Sequence, residues 1–166
     1  SNQRLSALQE NLARTGLHAD IVDADAAQWR PENPVDAVLL DAPCTATGTI
    51  RRHPDIPRRR RSADITSATA LQDRLLTAAV NMVAPGGTII YSVCSLEPEE
   101  GTARVDALLT SGAPVTLDPI SAEDWPELAG LTPSAITPAG TLRTLPCHWS
   151  ERGGMDGFFA ARLIRN

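Results

Sequence analysis

Two short apolar runs constrain this chain more than any other feature, and both end at a cysteine. VDAVLLDAPC (35–44) passes from an apolar stretch into Asp41, Pro43 and Cys44, and TIIYSVC (88–94) ends on Cys94. Apolar runs of this length fit strands buried on both faces. Between them Leu71, Leu75, Leu76, Ala79 and Val80 recur at helical spacing. They predict a helix from about Ser62 or Ser67 to Val83, stopped by Pro85-Gly86-Gly87.

The rest of the chain extends the alternation. Residues 1–17 predict an amphipathic helix through Leu5, Leu8 and Leu12, with Gly16 as its stop. A short apolar stretch follows at Ile21 and Val22. Residues 45–61, rich in Thr, Gly, Pro and Arg, read as a long loop. SLEPEEG (95–101) predicts the opening of a helix to about Leu109, with Pro98 in its first turn and Glu97, Glu99 and Glu100 at its positive end. Residues 112–140 are expected to be mostly irregular, and 141–146 and 157–164 to form an antiparallel strand pair. The order of elements predicts one α/β domain over 1–166, its sheet parallel with an antiparallel edge.

Composition excludes several classes. With 166 residues, 42% hydrophobic, the chain is of a size to build its own core. No apolar run reaches the ~20 residues of a membrane span and no signal peptide opens the sequence, so a cytoplasmic location is expected. Three widely separated cysteines, Cys44, Cys94 and Cys147, suit free thiols better than a disulfide framework or a zinc site, and no metal is expected. The net charge is −5, yet residues 51–61 (RRHPDIPRRRR) hold six Arg against one Asp. Such a segment is either a phosphate-contacting surface or a solvated loop.

The chemistry concentrates where the two runs end. If strands 37–41 and 88–93 are sheet neighbours, Asp41, Cys44 and Cys94 converge at one carboxyl edge, where open α/β sheets bind ligands. Two buried structural cysteines are the bland alternative for either thiol alone. Two cysteines and an acid at one edge are harder to attribute to packing.

LLDAPCTATGTIRRHPDI and YSVCSLEPEEG resemble the fourth and sixth motifs of the Sun-type (Fmu) RNA cytosine-5 methyltransferases. GGMDGFFAARLIR (153–165) resembles that family's C-terminal strand motif, and NLARTGL with Asp25 its segment between the second and third motifs. Within the family the likeness is greatest to the bacterial enzymes acting on 16S ribosomal RNA. The resemblance implies a Rossmann-like class I fold, S-adenosyl-L-methionine as cofactor and RNA as substrate. It implies Cys94 as the nucleophile adding to carbon 6 of cytosine, with Cys44 helping to remove the carbon-5 proton. Asp41 would bond the N3/N4 edge of the base, which must leave any stack to reach the cleft. Asp25 would lie at the adenine end of the cofactor, with Asp41 and Pro43 also on the cofactor side; an N-cap or solvated acid is the other reading of Asp25. Arg51, Arg52 and His53 would contact RNA phosphate, Arg58 to Arg61 being weaker candidates.

The family's glycine-rich first motif, the acid of its second motif and its N-terminal RNA-binding region have no counterpart here. In the family's sheet order 3-2-1-4-5-7-6 the sequence therefore predicts strands 3 to 7 without strands 1 and 2. A fragment that binds the cofactor poorly by itself is the expectation. A non-catalytic RNA-binding or assembly module that keeps the fold is the competing reading.

Overall fold

The computed structural model describes residues 2–123, 125–128, 131 and 134–166. Helix α1 (Asn2–Thr15) is followed by strand β1 (Val35–Asp41), the one-turn helix α2 (Ile56–Arg59) and the long helix α3 (Ser62–Met82). Then come β2 (Val83–Val93), α4 (Thr102–Thr110), β3 (Val115–Leu117), β4 (Leu142–Thr144) and β5 (Phe158–Arg165). Ser1 of the predicted first helix, and residues 124, 129, 130, 132 and 133 of the stretch expected to be irregular, lie outside the described residues.

The sheet runs β1-β2-β5-β3, with β4 also on β5. β1 and β2 are parallel, and every pairing of β5 is antiparallel. This is the predicted mixed sheet, and its order is the 4-5-7-6 half of the family order. The expected antiparallel pair is present as β4 and β5. Helix α3 returns the chain from the end of β1 to the start of β2, as a parallel pair requires. Val83 pairs with Val35; the Pro85-Gly86-Gly87 segment then bulges before Thr88 rejoins opposite Ala37. The bulge needs Gly87, because a Cβ there would sit 2.5 Å from Val83 Cγ1 and 2.7 Å from the Asp36 carbonyl oxygen.

One face of the sheet carries the core. Ile89, Tyr91, Val93, Phe159, Ala161 and Leu163 pack beneath Leu76, Val80, Val105 and Leu108 of α3 and α4. Removing such side chains from water supplies the main stabilising term, at about 25 cal/mol per Å² of apolar surface.

Three expectations are corrected. β1 is not buried on both faces: Val35, Val38 and Leu40 pack on the core, whereas Leu39 is 74% exposed. An apolar run reports which residues favour burial, but among the described residues β1 is an edge strand with only β2 beside it. The stretch at Ile21 and Val22 forms no strand, and Val22 is exposed, because nothing pairs its backbone. Finally, α4 begins at Thr102 rather than within SLEPEEG, so Pro98 lies in a preceding turn and not in the helix. That turn closes through the Glu100 and Gly101 amides onto the carbonyls of Glu97 and Pro98. It carries Glu100 inward, where its side chain is fully buried.

Candidate active site

The parallel pair sets Asp41 opposite Ser92, so each chain leaves its strand at the same end of the sheet. The Ala42 amide donates to the Ser92 carbonyl at 2.9 Å, extending the ladder one residue past β1. Cys44 and Cys94 then meet with their Sγ atoms 3.5 Å apart, both half-buried.

The loop after Cys44 is held against both neighbouring strands. The Gly48 amide donates to the Cys94 carbonyl at 3.0 Å, and the Gly157 amide to the Gly48 carbonyl at 2.8 Å. A Cβ on Gly48 would lie 1.9 Å from the Gly157 carbonyl oxygen, so only glycine permits this approach. The Thr47 hydroxyl accepts from the Leu96 amide at 2.9 Å, joining the segments behind the two thiols from the other side.

Glu100 is the residue that sequence reasoning missed. Its carboxylate accepts from the Thr45 amide (2.9 Å), the Thr45 hydroxyl, the Ser95 hydroxyl (2.6 Å) and the Gln72 side-chain amide (3.1 Å). Gln72 also donates to the Pro43 carbonyl at 2.9 Å, and Tyr91 donates its hydroxyl to the Glu100 carbonyl at 2.6 Å. One buried carboxylate thus ties the residue after each cysteine to helix α3. A buried charge is tolerated because its oxygens are saturated with donors. The available signal was a third glutamate immediately before Gly101, where the chain must pass under Arg143 and Phe159. A Cβ on Gly101 would lie 2.7 Å from Arg143 Nη2 and 3.0 Å from Phe159 Cγ. Arg143 stacks 5.0 Å over the Phe159 ring and donates to the Ser95 carbonyl at 2.6 Å.

The two thiols are electrostatically unequal. The hydrogen bond between the two sulfurs brings Cys94 down to about 7, against the opposing effects of burial and of the Asp41 charge. Cys44 is pushed well above the ordinary thiol range, first by that same hydrogen bond and then by burial. Of the two, Cys94 is the more readily ionised, and near neutral pH a substantial fraction of the pair carries a single negative charge.

Asp41 is exposed at the carboxyl end of β1, close enough to Cys94 to oppose its ionisation, and Pro43 is exposed beside it. These two lie at the same sheet edge as the cysteines. Asp25 does not join them. Its carboxylate caps its own turn through the Ala27 amide (3.0 Å) and the Gln28 side chain (2.9 Å), with Arg74 of α3 at 3.7 Å. Both oxygens are engaged within that loop and toward α3.

The basic segment divides. Arg52 is bound to Asp156 through Nε (2.8 Å) and Nη2 (2.5 Å), and Arg51 reaches the Gly154 carbonyl at 3.4 Å. His53 is exposed, its amide on the Thr49 carbonyl at 2.9 Å. Arg60 donates to the Thr45 carbonyl at 2.8 Å. Cys147 is exposed and apart from the pair.

Comparisons with known proteins give the chain a family and a fold. The model of a family described as 16S rRNA methyltransferase RsmB/F matches residues 1–164. Ribosomal RNA small subunit methyltransferase B of Salmonella arizonae is 40% identical over 166 residues, covering 98% of this chain and 34% of that protein. The crystal structure of PH0851 superimposes with a TM-score of 0.80 at 29% identity, covering 99% of this chain and 35% of that one. A methyltransferase homolog protein from Pyrococcus horikoshii superimposes with a TM-score of 0.72 at 29% identity, covering 100% of this chain and 51% of that one. The fold is that of the Rossmann-like methyltransferases. The chain spans about a third of the length of the curated relatives it matches.

Proposed function

The chain belongs to the 16S rRNA methyltransferase RsmB/F family, and on that premise we propose that it carries the covalent chemistry of cytosine carbon-5 methylation in RNA, with 16S ribosomal RNA as the substrate class. The observation that carries this reading is the cysteine pair, two sulfurs 3.5 Å apart where adjacent parallel strands end, with Cys94 the more readily ionised of the two.

Carbon 5 of cytosine is a weak nucleophile. Addition of the Cys94 thiolate to carbon 6 forms a C–S bond and moves the ring electrons onto carbon 5, which then takes a methyl group. Asp41 accepts hydrogen bonds at the N3/N4 edge of the ring and holds the base in a polarised form. Its charge opposes ionisation of Cys94 in the free protein, and a base that engages the carboxylate weakens that opposition. S-adenosyl-L-methionine supplies the methyl group as a sulfonium. Asp41 and Pro43, at the exposed end of β1, would form one wall of its site.

The second half of the reaction uses Cys44. Once Cys94 sulfur is bonded to carbon, the thiolate that held the Cys44 proton in place no longer exists, and the largest cause of its raised pKa is removed. Cys44 loses its proton to solvent and then takes the one on carbon 5. The C5–H electrons become the C5–C6 double bond and the C–S bond breaks. The departing Cys94 thiolate again receives the hydrogen bond of the Cys44 S–H.

RNA substituted with 5-fluorocytosine tests this, because fluorine at carbon 5 blocks the elimination. In a polypeptide of the relatives' full length carrying this sequence, S-adenosyl-L-methionine and the RNA should yield a covalent adduct by intact mass. The adduct should persist in Cys44→Ala and vanish in Cys94→Ala. No adduct from the unmutated protein refutes the catalytic reading and leaves a non-catalytic RNA-binding module.

A further inference from the structure

Behind the cysteine pair, the loop after Cys44 and the start of α3 enclose a cavity of about 420 Å³. Small-ligand sites fall at about 300–1,000 Å³. Its apolar walls are Ile50, Pro57, Ile65 and Leu96; Arg60, Arg61, Ser62 and Glu97 supply its charged and polar rim. Thr45 and Thr47 also line it, but their hydroxyls are already engaged with Glu100, Ser95 and the Leu96 amide. The remaining hydrogen-bonding capacity is therefore chiefly that of the rim.

The rim favours an anion with an apolar body. Arg60 donates through Nε to the Thr45 carbonyl, which fixes its guanidinium at the mouth. Among the described residues no ion pair engages Arg60 or Arg61, unlike Arg52 with Asp156 and Arg59 with Asp55. Ser62 opens a 21-residue helix, whose N-terminal positive charge of about one half is partly offset by Asp64, which accepts from the Arg61 amide at 2.9 Å. Glu97 is the one acid on the rim, and it offers an acceptor for an amino group. The cavity also shares its wall with the site: Thr45 directly follows Cys44, and Leu96 lies two residues after Cys94.

We infer that this cavity is a subsite for the nucleotide next to the target cytosine, its ring on the Ile50, Ile65 and Leu96 wall and its phosphate at Arg60, Arg61 and the N-terminus of α3. The assignment rests on the RNA reading above and specifies which part of the strand is held where. It shifts phosphate contact from Arg51 and Arg52, which are tied to the 154–156 segment, to the far end of the basic segment.

The test uses this chain and fluorescein-labelled single-stranded RNA hexamers containing one cytosine, read by anisotropy. Arg61→Gln removes a rim charge, Ile65→Trp fills the cavity, and Arg58→Gln removes a charge of the same segment that does not line it. Arg61→Gln and Ile65→Trp should each weaken binding roughly tenfold and Arg58→Gln less than about twofold. Arg61→Gln should also flatten the log–log salt dependence by about 0.7, the value for one phosphate on a single strand. An abasic nucleotide beside the cytosine should remove the Ile65→Trp effect. Equal losses for Arg58→Gln and Arg61→Gln, or no measurable RNA binding, overturn the subsite. The 5-fluorocytosine adduct separates the two readings. Adduct formation with these variants binding normally refutes the subsite alone, whereas the expected binding pattern without an adduct refutes the catalysis alone.

Discussion

Replacing Cys44 with alanine should slow the reaction of Cys94 below about pH 8 and quicken it above. The Cys44 S–H is the largest cause of the lowered Cys94 value, about 7 against an ordinary 9.0. Without that donor, burial and the Asp41 charge remain, and both favour the thiol. Taking the ordinary value for the variant, the thiolate fraction at pH 7 falls from about one half to about one hundredth, roughly 50-fold. A more basic thiolate is also a better nucleophile; a Brønsted coefficient of about 0.4–0.5 returns about six- to tenfold. Alkylation at pH 7 should therefore slow by about five- to eightfold, while at pH 10, where both proteins are ionised, it should quicken by about six- to ninefold. The assay is the pseudo-first-order iodoacetamide rate between pH 5.5 and 10.5. A Cys147→Ser background, with peptide mapping, assigns the label to Cys94. Profiles that do not cross, or a midpoint that stays near neutrality in Cys44→Ala, would show that something other than the Cys44 hydrogen bond ionises Cys94.

Other substitutions probe the frame around the pair. Glu100→Ala leaves several buried donors without an acceptor, at about 1–3 kcal/mol each, so a loss of about 3–5 kcal/mol is expected in urea denaturation. A midpoint within error of the parent would remove Glu100 from the role assigned here. Gly48→Ala must displace the Gly157 carbonyl, 1.9 Å from the new Cβ. It should cost about 3 kcal/mol, the upper part of the overpacking range, and return the Cys94 alkylation midpoint toward the ordinary thiol value. Arg52→Ala breaks an ion pair whose arginine is 59% exposed; solvent screening makes such pairs weak. Its denaturation midpoint should match the parent's, and a clear loss would show that the 154–156 segment depends on it.

What could be read from the sequence was what local pattern records. Helical spacing located α3, and the two cysteines stood out because each terminates an apolar run. The β4–β5 pair was legible from its two strand-like segments. The misreadings came from information that a local window does not hold. The β1 run has the apolar content of a central strand, yet whether its second face is covered depends on elements elsewhere, and Leu39 is exposed. Ile21 and Val22 had strand character but no partner. Arg52 looked free beside its neighbours, because the acid that binds it is 104 residues away. Glu100 was one of three glutamates suited to a helix end. Only the turn before α4 distinguishes it, by pointing it into the core rather than toward solvent.

The roles of the two cysteines show the same division. In sequence they are near equivalents, each at the carboxyl end of one of two adjacent parallel strands, and no propensity argument makes one of them the nucleophile. Their inequality arises in the environment. Residues on both sides of Cys44 are fixed, the Pro43 carbonyl by Gln72 and the Thr45 amide by Glu100. Its sulfur is thereby held 3.5 Å from that of Cys94. Cys94 instead has its own carbonyl bound by Gly48. Asp41 bears on Cys94 as well and opposes its ionisation, so an acid at the edge does not by itself activate the thiol. What activates it is a neighbour that cannot easily give up its proton. Anything that loosens Cys44 from the Glu100 and Gln72 network should therefore weaken Cys94 as a thiolate without touching it, which ties the chemistry at the sheet edge to a carboxylate buried beneath it.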